Sequence, residues 1–152
     1  MPIEQDLRER LTAAMKAKDL KTANVIRMVN TKIMERRTAK GFSGLVDDAL
    51  CQDVISAYKK SLEKGIEEYS QLGEKGKEQI AELSWEINYC AQFLPKQLSK
   101  DELKIAVQSA IQKLGVTDVK MAGRVVGEVM KGHKGKTDAG VVKKLVEQLL
   151  PP

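Results

Sequence analysis

Near the C-terminal end, Arg124, Lys131, Lys134, Lys136, Lys143 and Lys144 fall within one short stretch. The chemistry this pattern suits is electrostatic: phosphate groups of a polyanion held by point charges, through charge and shape with little reading of bases. Gly132 and Gly135 would leave the backbone open to close approach. The start of the following helix would offer unpaired amides that favour an anion. No aromatic residue interleaves with these lysines, so stacking on single-stranded bases is not expected, and structured RNA is the better match. A solvated, lysine-rich turn would show the same residues, so the pattern leaves both readings open.

Other chemistry finds few residues to work with. His133 is the only histidine, set in a Gly- and Lys-rich turn without a cysteine or carboxylate at ligand spacing, so it reads as a solvated turn residue and no metal site is expected. Gly135-Lys136-Thr137 imitates the end of a phosphate-binding loop. The glycine that motif needs five positions earlier is Met130, and the preceding segment reads as a helix where the motif needs a strand. Glu63, Glu67 and Glu68 alternate with Lys59, Lys60 and Lys64 at helical i,i+3 and i,i+4 spacing, the pattern of an exposed face. Met15, Met28, Met34, Met121 and Met130 fall at or beside apolar positions and read as packing. Cys51 and Cys90 form no CxxC and read as buried free thiols. No nucleophile, acid–base pair or cofactor motif is complete, so the expectation is a chain without catalysis or cofactor of its own.

The elements that carry these residues are read from apolar spacing. With 42% hydrophobic residues but only 4% aromatic, a core must be built from Leu, Ile, Val, Ala and Met, a palette that favours helix on helix. Stripes at helical period run through Ile3–Ala14, Ala23–Ile33, Leu50–Tyr69 and Ile80–Leu94, with breaks at Lys18-Asp19, Gly41–Gly44 and Gly73–Gly76. Pro95 should end the fourth helix near Leu94. Ser99 and Glu102 read as a capping box opening a fifth helix, with Leu103, Val107, Ala110, Ile111 and Leu114 inward, stopped by Gly115. A sixth is expected over 118–131, with Val119, Ala122, Val126, Val129 and Met130 inward. A seventh should start at Thr137 or Asp138 and bury Val142, Leu145 and Leu149. Gly123 and Gly127 share a face of the sixth helix at a spacing that suggests close helix packing.

The expected architecture is therefore all-α: a four-helix antiparallel N-terminal domain over 1–95, a hinge at 96–98, and a three-helix bundle over 99–150. Charge divides unevenly between them. Residues 1–97 carry 16 Lys and Arg against 15 Asp and Glu, while 98–152 carry 10 against 6, which points a polyanionic partner at the C-terminal part. No segment approaches the ~18 consecutive apolar residues of a membrane span. The N-terminus lacks the zones of a signal peptide, so a cytoplasmic protein with no membrane partner is expected.

Several of these residues also resemble a known family. They are Ala13-Ala14-Met15-Lys16 with Lys18-Asp19, Ile26-Arg27-Met28, Lys59-Lys60-Ser61, Phe93-Leu94-Pro95-Lys96-Gln97-Leu98-Ser99, Gly127-Glu128-Val129-Met130-Lys131 and Lys134-Gly135-Lys136-Thr137-Asp138. In this order they resemble the GatB/YqeY family, which joins small bacterial YqeY-like proteins to the C-terminal tail of the GatB component of the tRNA-dependent amidotransferase. The turn Gly73-Glu74-Lys75-Gly76-Lys77 departs from the family pattern. The resemblance implies an all-α, two-domain fold and a tail-like part that helps hold tRNA, with ATP use, transamidation and glutamine hydrolysis residing elsewhere. A tRNA-associated accessory protein is the first expectation, with Lys131, Lys134 and Lys136 on phosphates and Arg124 and Lys143 flanking. A module docking to a translation component is the second. A component of glutamine-dependent carbon–nitrogen ligase activity is the third, and the residues present do not support it.

Overall fold

A computed structural model describes residues 1–151. Seven α-helices follow one another: α1 (Ile3–Lys16), α2 (Leu20–Arg37), α3 (Asp48–Ser70), α4 (Lys77–Ala91), α5 (Lys100–Leu114), α6 (Ala122–Gly132) and α7 (Ala139–Leu149), with no strand among the described residues. Packing divides the chain into two compact units, Met1–Leu94 and Pro95 onward. No helix is long and apolar enough to cross a membrane.

Local chemistry sets the helix ends. Lys18 turns the chain after α1 with φ 57, and Asp19 then caps α2 by accepting from the Thr22 amide at 3.1 Å. Asp47 caps α3 through the Leu50 amide at 2.9 Å. The free amide of Ile3 at the start of α1 donates to Asp48 Oδ1 at 2.8 Å, so α3 supplies a cap that α1 lacks. α4 ends at Ala91, and a tight turn carries the chain to Leu94.

In the first unit Leu7, Ile26 and Ile55 are fully buried, joined by Val25, Cys51 and Cys90. The long α3–α4 hairpin needs close approach: a Cβ on Gly65 would stand 3.1 Å from Leu83 Cδ1, and one on Gly76 would stand 2.1 Å from the Tyr69 carbonyl oxygen. The second unit buries Leu103, Val107 and Ala110 of α5 against Val125 and Val129 of α6 and Val142 and Val146 of α7. Helices of 11–15 residues are marginal alone, so this shared core is what holds them.

Several expectations need correction. Met15, Met28 and Met34 are 56%, 45% and 49% exposed, because each lies to the side of its helix's buried stripe. Val142 is fully buried as expected, but Val125 and Val146 are fully buried where Val126 and Leu145 were expected inward, and those two are half-buried. Both differ from expectation by one residue, because a run of adjacent valines and leucines gives periodicity little to discriminate. The sixth helix begins as a 3-10 turn over Val119–Met121, capped by Asp118, before α6 proper. Gly123 and Gly127 do not serve close packing: a Cβ at either would meet nothing within 4 Å.

Candidate nucleic-acid interface

The five cations expected to meet phosphates lie on α6, α7 and the turn between them. Arg124 and Lys131 are seven residues apart, two turns of α6, and so share a face. Lys134 and Lys136 occupy the turn, and Lys143 lies on α7. Every one is exposed, and among the described residues none forms an ion pair. In the first unit three of the five arginines are held in ion pairs. Arg10 is bound to Asp6, Arg36 to Asp53 and Arg37 to Glu4.

The turn itself is built by a segment distant in sequence. Leu98 N–H donates to the Lys136 carbonyl at 2.9 Å, Gln97 Nε2 donates to the Gly135 carbonyl at 2.8 Å, and a Cβ on Gly135 would stand 3.5 Å from Pro95 Cγ. Residues 96–98, read from sequence as a hinge, are thus bonded to the α6–α7 turn within the second unit. Gly135 has φ 78, a left-handed conformation that favours glycine, and Lys136 N–H closes the turn onto the His133 carbonyl at 3.0 Å. Lys134 and Lys136 are therefore carried on a braced turn rather than a loose one.

Two details differ from expectation. The first amides of α7 are not all open, because Asp138 caps them and accepts from Gly140 N–H at 2.7 Å. Its carboxylate stands where an anion was expected, so any hold on phosphate rests on the lysine side chains. His133 is half-buried at the end of α6 and lines an outer groove between α6 and α5, where it was expected to be a solvated turn residue.

That groove, of about 490 Å³, was missed in the sequence. Ile105, Ala106 and Ser109 of α5 form one wall and Val129, Gly132 and His133 the other, with Glu102 and the Lys113–Glu128 ion pair (2.6 Å) at its edges. Lys113, by its hydrogen bond, holds the Glu128 carboxyl below its ordinary range. Ser99 caps α5 through the Glu102 amide at 3.2 Å, while the Glu102 side chain belongs to the groove. The signal available was Ile105, a large apolar residue standing off the buried stripe.

In the first unit, aromatics and cations do meet. Along α4 and the turn after it Trp85 stacks on Tyr89 with centroids 5.6 Å apart and Phe93 lies tilted against Tyr89 at 5.8 Å, while Lys21 lies 4.5 Å over Trp85 and Arg10 5.0 Å over Phe93. These rings are half-buried or buried and serve packing first. Tyr58 donates to Glu86 at 3.3 Å, and burial raises the pKa of both. Cys51 and Cys90 are free and buried, with burial pushing each thiol up to about 11, far from a reactive thiolate. Among the described residues no group of three His, Cys, Asp or Glu side chains could hold a metal ion.

None of the curated proteins compared with the chain matches it. The family described as Yqey-like protein matches residues 4–150, nearly the whole length, and the chain belongs to that family.

Proposed function

We propose that this chain is a non-catalytic accessory protein that binds tRNA or another structured RNA through the α6–α7 corner. Lys131, Lys134 and Lys136 take phosphates, with Arg124 and Lys143 at the flanks. The observation that carries this reading is the contrast in pairing: these five exposed cations form no ion pair among the described residues, whereas Arg10, Arg36 and Arg37 of the first unit are neutralised. Side chains already held in ion pairs have less to offer a polyanion, and unpaired ones exchange only counterions. The open surface at Gly123, Gly127 and Gly132 lets a sugar–phosphate backbone come close to α6. The buried, unreactive thiols suit a reducing cytoplasm.

Titration of fluorescent tRNA with the full chain over a range of salt tests it. Changing Lys131, Lys134 and Lys136 together to alanine weakens binding and lowers the salt slope by about 1 for each phosphate no longer held. Equal affinity in the triple variant removes this corner from the RNA interface.

A second reading, a module docking to a translation protein, has its own observation. Met15, Met28, Met34 and Leu20 are exposed on the near-neutral first unit, and adaptable methionines suit binding to other proteins. Capture of a protein that survives nuclease treatment, and is abolished when Met15 and Met28 are changed to lysine, would favour it.

A further inference from the structure

We propose that the outer face of α5 pairs with α5 of a second copy of this chain, antiparallel about a two-fold axis. The face carries both halves of such an interface. Ile105 is 64% exposed, a large apolar side chain raised above the surface. On one side of it lies the 490 Å³ groove, walled by Ala106 and Val129. On the other lies a second hollow of about 450 Å³, bordered by Gln112 and Leu149. Ser109 borders both, so Ile105 and Ser109 form a ridge with a hollow on each side, the relief by which helices pack ridge into groove.

Charge selects the occupant. Glu102 in the first turn of α5 and Lys113 in its last are eleven residues apart, three turns, so both lie on this face about 16 Å from each other. Laid antiparallel about a point between Val107 and Gln108, two copies set Glu102 of each against Lys113 of the other. The same register sets Ala106 opposite Ser109, small side chains that allow close approach, and directs each Ile105 into the hollow of the other copy. A surface complementary to itself in relief and in charge is what a two-fold interface requires. Lys113 is held by Glu128 within its own chain, but an exposed ion pair of this kind is weak and can be shared. RNA is disfavoured here: the floor is apolar, and the Glu102 and Glu128 carboxylates edge it.

Sedimentation velocity of the full chain, from micromolar concentration to near the solubility limit, gives the test. The expected result is a doubling of mass with concentration, abolished by Ile105→Glu and reduced by Ile105→Ser, an exposed change the fold accepts. Glu102→Lys and Lys113→Glu each weaken self-association by about tenfold or more, since each homodimer then faces two like-charge pairs. Mixing these two variants restores the dimer, because one chain then presents lysine at both positions and its partner glutamate at both, so opposite charges meet at each end of the interface. A wild-type chain that stays monomeric throughout overturns the proposal. So does a dimer indifferent to Ile105→Glu, or charge variants that each self-associate, unmixed, as tightly as the wild type.

Discussion

Gly127 lies in the middle of α6, exposed, with open space where a Cβ would go. Glycine in a helix interior loses more backbone entropy on folding than alanine, at a cost of about 0.8–1.0 kcal/mol. With nothing within 4 Å to collide with, Gly127→Ala recovers that amount almost in full. For a unit of about 60 residues, about 1 kcal/mol moves the thermal midpoint by about 4–8 °C, and by about half that if the whole chain unfolds as one. Calorimetry with circular dichroism in the helix band reads both the shift and the cooperativity. The mirror experiment is Gly76→Ala. Its new methyl would stand 2.1 Å from the Tyr69 carbonyl oxygen, and forced overpacking of that kind costs about 3 kcal/mol. A destabilised Gly127→Ala would refute the reasoning, since it would mean the helix face is packed after all. A stabilised variant with weakened RNA binding would show that the glycine serves the partner's approach.

Burial raises the Glu86 pKa above its ordinary 4.5, so the folded state binds that proton more tightly than the unfolded chain. Stability should therefore fall as pH rises from 4.5 through the raised value, a slope that urea titrations detect and Glu86→Gln removes. Cys51 and Cys90 should react with a thiol reagent only after denaturation; labelling of the native chain at the rate of free cysteine would contradict their burial. The two-domain division is proposed to be one of folding: a fragment starting at Pro95 should show a helical spectrum and a cooperative melt, and a featureless spectrum would tie its stability to the first unit.

Helix number and order were legible because apolar residues recur at the helical period, and the caps at Ser99 and Asp138 act within three residues of themselves. The same locality made the cation cluster visible, since Arg124, Lys131, Lys134, Lys136 and Lys143 are close in the chain. Its limit shows at Val125 and Val146: among consecutive apolar residues the pattern marks a face, and only packing against α5 chooses which side chain sits deepest.

Tertiary structure decided what depends on residues far apart in the chain. Leu98 and Gln97 brace the α6–α7 turn across 38 residues in sequence, and no local rule connects them. The openness at Gly123 and Gly127 and the long-range pairing of Arg36 and Arg37 likewise follow from where neighbouring helices do and do not lie. Backbone preference and capping are short-ranged and can be read along a line. Which cations stay unpaired, and which apolar residues stay exposed, is a property of surfaces that exist only once the helices have packed.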